Sequence, residues 1–313
     1  MYTIKRYTPA DQQIWDRYVA KARNATFLFY RGYMDYHADR FQDHSLLFFV
    51  GNHLHSILPA NIVGDTLYSH QGLTYGGLVM SIDVTAADVI QLFRELNDWL
   101  RQTGIRRVVY KPVPWVYHQH SSEEDLYPLF WICQARVVSR DIGTVIFMQQ
   151  HLRWRKDRRR HLKVAHEQNI VVKRDNNFRA FWPVLEGNLS SRHRVKPVHT
   201  VEEMELLYSR FPQNIVQYNA YQGDEVLAGL TFYLSPQVLH GQYCSSTPKG
   251  KQIGAVDAIY EKAMYEDYPD YTYLDFGRST EGDGSVINNG LIAQKEGFGG
   301  RAICYDTYEW KIN

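Results

Sequence analysis

Only three cysteines, Cys133, Cys244 and Cys304, stand in 313 residues, widely spaced and without a CxxC pair. This excludes a disulfide framework and a cysteine-type zinc site. An excess of one charge is also lacking, since 35 Lys+Arg against 34 Asp+Glu leave a net charge of +1. Proteins that coat nucleic acid carry a basic excess, so that class, and DNA as a partner, is set aside. Long hydrophobic runs are missing too. The longest cover residues 46–50 and, less purely, 226–234, far short of the roughly 20 residues a membrane helix needs. The first 13 residues hold no apolar stretch of the signal-peptide kind. The expectation is a cytoplasmic protein without membrane insertion.

What is present is ordinary globular composition, 44% hydrophobic and 22% charged, with one bias: 23 Tyr, 14 Phe and 7 Trp. Tyrosine offers a flat apolar face and a hydroxyl, which suits either a cleft for a polar substrate or simply an aromatic core. The length fits two domains, and the pattern is mixed α/β in both halves. Residues 46–50 and 53–60 read as strands joined at Gly51-Asn52. Residues 85–104 read as a helix, with Val89, Leu92, Phe93, Leu96, Trp99 and Leu100 at helical spacing and Gly104 as its stop. Residues 105–110 then form a strand. In the second half, Thr200 and Glu203 make a capping box. A strand over residues 238–245, a polar loop at 247–254, a helix over 255–268 and a strand over 271–276 follow. The boundaries expected are 1–150 for a first lobe, 151–170 for a connecting helix and 171–313 for a second lobe.

The connector is rich in cations: Arg153, Arg155, Lys156, Arg158, Arg159, Arg160 and Lys163. As a set they fall all around a 3.6-residue repeat rather than on one face. A solvated helix between lobes explains them, and so does a local collar for a phosphate-bearing substrate or an RNA.

Two segments carry chemistry. Lys249, Gly250, Lys251 and Gly254 lie in the loop TPKGKQIGA that opens a helix. Free amides there, close backbone approach at the glycines and two lysines suit the diphosphate of coenzyme A, without a metal. A P-loop is rejected, because Ser245 and Gln252 stand where Gly and Ser/Thr are required. Downstream, Asp275 ends a strand with Arg278 and Ser279 just beyond it, and Lys295 precedes a Gly-rich turn. Polar residues after strand ends are where α/β proteins place ligands. Asp275 is a candidate proton acceptor, Lys295 a candidate oxyanion partner and Arg278 a candidate acceptor-binding group, with Tyr243 on the preceding strand a candidate donor to the leaving group. The pairs His53/His55 and His118/His120 lack a carboxylate or Cys at matching spacing, so no metal site is expected.

Asp275-Phe-Gly-Arg-Ser279, Gly284-Ser285 and Lys295-Glu-Gly-Phe-Gly299 together resemble the tail of the FemAB-like branch of the GNAT acyltransferase superfamily. The segment 158–172 resembles that branch's connector, and Tyr110-Lys111-Pro112 a first-lobe motif. The resemblance implies an α/β (α+β) fold of two GNAT-like lobes, each a mixed curved sheet flanked by helices. It implies transfer of an acyl group to an amine, with no resident cofactor and acyl-CoA as co-substrate. An amino sugar or amino-acid-like amine in envelope or polysaccharide assembly would be the acceptor. An aminoacyl-tRNA donor is the alternative, and a GNAT-like protein that binds a ligand without catalysis is a third.

Overall fold

Thr3–Arg6 form a strand (β1), paired antiparallel with residues 46–49, and short helices with buried aromatic residues follow it along the chain. The computed structural model describes residues 1–193 and 196–312. Two units emerge. The first holds Met1–Asp141, Gly282–Ser285 and the C-terminal residues from Cys304 on; the second holds Ile142–Glu281 and Val286–Ile303. The return of the last strand to the first unit differs from the contiguous division that sequence suggested. Its Tyr308–Lys311 pair with Arg107–Tyr110, a register that no local signal encodes.

In the first unit, β1 is followed by α1 (Gln12–Val19), α2 (Arg31–Met34), β2 (Leu46–Val50), β3 (His53–Leu58), β4 (Asn61–Val63), β5 (Thr66–Tyr68), β6 (Val79–Met80), α3 (Ala86–Gln102), β7 (Arg107–Tyr110) and α4 (Leu126–Trp131). β8 (Arg136–Phe147) carries the chain into the second unit. One sheet runs β1-β2-β3-β6, and a second places β4, β5 and β7 side by side. β5 and β7 are parallel, and α3 is the crossover between them. Thr85 caps α3, accepting from the Asp88 amide at 3.3 Å while Asp88 accepts from the Thr85 amide at 3.0 Å. The helix buries Val89, Leu92, Phe93, Leu96 and Leu100 in one core, each contributing about 1.5–3 kcal/mol by leaving water.

The second unit continues with α5 (Lys156–Glu167), β9 (Val171–Arg174), α6 (Phe178–His193), α7 (Val201–Arg210), β10 (Ile215–Gln222), β11 (Glu225–Leu234), β12 (Val238–Ser246), α8 (Pro248–Ile253), α9 (Ala255–Glu261), β13 (Tyr273–Arg278), β14 (Thr280–Glu281), β15 (Val286–Ile287) and α10 (Asn289–Gly297). The chain then enters β16 (Arg301–Lys311). Its sheet order is β8-β13-β12-β11-β10-β9. Neighbours are antiparallel except β12 and β13, which are parallel and joined by α8 and α9. Each unit thus contains a mixed sheet with one parallel pair and a helical crossover, and the α/β class with two lobes holds.

The connecting segment departs from its reading. Arg158 turns inward, 16% exposed, to face buried Asp257 at 3.3 Å and to lie over the Phe298 ring. The cations that start at Lys156 do share a face, because Arg153 and Arg155 precede the helix and Arg158 leaves it for the interior.

Candidate functional site

β12 and β13 pair over three rungs only: Val238 with Tyr273, Leu239 with Leu274 and His240 with Asp275. Past His240, β12 runs on to Ser246 along β11, with no rung to β13 among the described residues. β13 veers off where Gly277 takes φ +70 and its pairing with β8 shifts between Asp275 and Arg278. A side chain at Gly277 is disfavoured, since the left-handed φ strains an L residue and a Cβ there would press on the His240 ring at 3.3 Å. The sheet therefore splits in its middle. The edge of β12 from Gly241 onward can pair with an extended, amide-bearing ligand, as open strand edges do.

Charged groups converge at the apex of the split. Asp275 is 1% exposed. One carboxylate oxygen accepts from the Gly277 amide at 2.7 Å, and the other faces His240 Nδ1 at 3.0 Å. Nδ1–H donating to a carboxylate makes Nε2 the ring's acceptor nitrogen. Lys295 is 6% exposed, and its Nζ donates to the carbonyls of Gly277 at 2.9 Å and Arg278 at 2.7 Å. Burial pushes its ammonium down to about 8, while the Asp275 carboxylate and then Cys244 pull it back up. Cys244 is exposed to solvent, and its thiol is pushed up to about 11 by nearby protein, with Tyr260 and then Lys295 acting the other way. The Tyr260 hydroxyl, pushed well above its ordinary range by burial and then by Cys244, stays protonated. Sequence reading found neither His240 nor Tyr260.

Asp275 and Lys295 are thus brought together, with Arg278 contributing a main-chain carbonyl. The Ser279 amide donates to Ile142 O at 2.7 Å, and its hydroxyl is buried without a partner. Tyr243 is not part of this group. It pairs with Thr231 while Cys244 pairs with Leu230, so the two project from opposite faces of β12. The Tyr243 hydroxyl meets His199 Nδ1 at 2.6 Å and its ring packs edge-on to Trp182. Burial raises it to about 12. Cys244, with Tyr260 beside it, lies on the other face of β12.

The loop at 247–254 is engaged in contacts of its own. Thr247 caps α8, its hydroxyl accepting from the Gly250 amide at 3.0 Å and its carbonyl from the Lys251 amide at 3.0 Å. Lys249 faces Glu225 at 2.7 Å on the surface, and Lys251 is exposed. Gly250 is glycine because a Cβ would lie 2.3 Å from Leu227 O; Gly254, at φ +77, because a Cβ would lie 2.3 Å from His161 O. Packing against β11 and α5 requires both glycines. Gly254→Ala is expected to cost about 3 kcal/mol from the left-handed backbone and the clash together, read as a lowered urea midpoint.

Among the described residues no group of three or more His, Cys, Asp or Glu is placed to hold a metal ion. His118, one of the paired histidines, is buried with Nε2 2.9 Å from Val113 O. No helix among the described residues is long and apolar enough to cross a membrane.

Residues 149–283 match the family model described as acetyltransferase (GNAT) domain. No curated protein matches. Among solved structures, FemX aligns at TM-score 0.67 and 9% identity over 99% of this chain and 97% of its own. The structure of L-PGS from Bacillus licheniformis aligns at TM-score 0.61 and 11% identity, over 99% and 93%. A tandem GNAT protein from the clavulanic acid biosynthesis pathway aligns at TM-score 0.53 and 7% identity, over 100% and 99%. At these identities the likeness is one of fold.

Proposed function

We propose that this chain, which matches a GNAT domain model over residues 149–283 and shares its fold with FemX, transfers an acyl group to an amine in the split between β12 and β13, with an acyl-CoA as donor. The observation that carries this reading is the buried Lys295 ammonium beside the His240–Asp275 pair at the apex of an open strand edge. An extended pantetheine arm carries amides that can pair with Gly241–Ser246. The acceptor nitrogen attacks the acyl carbon. The carbonyl oxygen becomes an oxyanion against Lys295, whose charge is worth more in a dry site than in water. The amine proton passes to His240, held by Asp275. The C–N bond forms, the C–S bond breaks, and the thiolate leaves past Tyr260. An amino sugar or amino-acid-like amine is the acceptor class.

A second reading, aminoacyl-tRNA as donor, is favoured by one specific observation. The Gly250 and Lys251 amides of α8 are already taken by Thr247 and the Lys249 ammonium by Glu225, which leaves less of that loop for a diphosphate. Thermal denaturation with acetyl-CoA and longer acyl-CoA esters tests the choice. Ligand at 100 times its Kd adds about 2.7 kcal/mol to stability, so a clear rise in Tm with a CoA ester supports the first reading. No rise, with amine acylation from aminoacyl-tRNA, supports the second. Neither response leaves a ligand-binding protein without catalysis.

A further inference from the structure

α4 has no polar face. Residues 126–135, LYPLFWICQA, hold no charge. Leu126 and Leu129 turn into the core of the first unit. At about 100° per residue, Tyr127, Phe130 and Trp131 share a 100° arc of the other side, and they are 56%, 63% and 63% exposed. Phe130 and Trp131 pack edge to face at 4.9 Å, and Val137 and Val138 are exposed just beyond them in the chain. A helix that is apolar all round is ordinarily buried, and an exposed patch of this kind marks a surface that meets something apolar.

Size and charge say what that is. Large aromatic side chains bury about 150–250 Å² each, so three rings exposed to this extent offer roughly 270–450 Å². That is about half of the ~800 Å² each partner gives to a stable protein interface, but it suits shallow insertion into a lipid surface. The rim is cationic. On α3, Asn97 donates to Cys133 Sγ at 3.5 Å, which sets that turn beside the end of α4. Arg94 and Arg101 lie within about 60° of Asn97 around α3 and are exposed, as is Arg136 just after α4. Arg101 pairs with Asp98 at 2.7 Å; among the described residues, no acid stands within ion-pair distance of Arg94 or Arg136. Of the three acids before α4, Asp125 is buried against the Tyr110 hydroxyl and Glu124 is held by Arg23 at 2.9 Å. Glu123 precedes the first turn of α4, at the opposite end from Arg136.

We infer that the outward face of α4 docks on an anionic lipid surface. Phe130 carries no polar side-chain atom and enters among the acyl chains. Tyr127 and Trp131 each bear a polar O–H or N–H on an apolar ring and sit at headgroup level, as such rings do at membrane interfaces. The three arginines meet the lipid phosphates. The helix lies on the surface and does not span it, since six residues rise only ~9 Å. A second copy of this chain is the weaker occupant. The face is small for a stable dimer, and a two-fold contact would set its arginines against their own copies. The docking does not rest on the transfer reading.

Flotation of the full chain with lipid vesicles provides the test. Binding to vesicles of phosphatidylglycerol and phosphatidylcholine is expected to exceed binding to phosphatidylcholine alone, and to weaken with salt. Tyr127→Ser/Phe130→Ser/Trp131→Ser is expected to lose at least ~10-fold in vesicle partition. Val63→Ser/Ile82→Ser/Val171→Ser removes three scattered apolar side chains of similar exposure and is expected to bind within ~3-fold of wild type. Trp131→Phe keeps a ring and stands in should the triple variant fail to fold. It is expected to bind the mixed vesicles still, and to lose most of the tryptophan quenching that phosphatidylcholine brominated on its acyl chains causes in wild type. Equal losses in the two triple variants overturn the inference. So does an absence of binding to either vesicle, or quenching that is unchanged in Trp131→Phe. Self-association of the wild type that the three serines abolish, with no vesicle bound, overturns it in favour of a second copy; sedimentation equilibrium reads that outcome.

Discussion

Lys295→Met is expected to lower turnover by at least ~100-fold, the cost of removing one preorganised oxyanion partner, while donor binding measured by titration changes little. In the proposed reaction the ammonium meets the developing charge, and it is fixed by the carbonyls of Gly277 and Arg278, so a thioether of similar length keeps the packing and loses the charge. The pH profile separates this role from a structural one. Lys295 must be protonated to meet an oxyanion, and its value of about 8 places an alkaline limb on turnover near pH 8. Lys295→Arg, charged throughout, is expected to lose that limb and keep more activity than Lys295→Met. Full turnover in Lys295→Met removes the group from the mechanism.

The same burial has a stability consequence whose sign is fixed by linkage. Below about pH 8 the lysine is protonated both folded and unfolded, and the folded state bears the full desolvation cost, on the order of 3 kcal/mol. Between about 8 and its ordinary 10.5 the unfolded chain holds more protons than the folded one, so stability contributed by this residue rises with pH. Wild type minus Lys295→Met is the difference that isolates it.

Local patterns carried much of the fold into view. The stripe of α3 and the capping box at Thr200 are properties of neighbouring residues, and both appear as read. β8 did not announce itself: Gly143 interrupts Arg136–Phe147, and its polar residues break the alternation that marks a strand. In the site, Asp275 and Lys295 were legible because they flank a strand end and a Gly-rich turn within 20 residues of each other. His240 was not, since only the parallel register of β12 on β13 sets it opposite Asp275, 35 residues away. Gly250 and Gly254 were read as room for a ligand because a sequence shows a missing side chain but not the Leu227 and His161 backbones that require it. Tyr243 and Cys244 were adjacent letters whose opposite faces are fixed by the pairing of β12 with β11, including the irregularity between Thr231 and Phe232.

Asp275→Asn is the second large effect, again at least ~100-fold in turnover, and its argument depends on the pair rather than on the carboxylate alone. With Oδ1 tied to the Gly277 amide and Oδ2 to His240 Nδ1, the carboxylate fixes which ring nitrogen accepts a proton and stabilises the imidazolium that results. Asparagine keeps the shape, loses the charge, and can donate to Nδ1, turning the ring to the wrong tautomer. If the two act as one device, His240→Gln loses about as much as Asp275→Asn, and the double variant loses little more, because groups that work as a unit are non-additive. The measurement is kcat for the three variants alongside donor affinity, which is expected to stay within ~3-fold. Losses that multiply in the double variant place the two residues in separate steps. Retained turnover in both single variants takes the proton-accepting role away from this pair, and Lys295 is then left to act on an amine deprotonated by solvent.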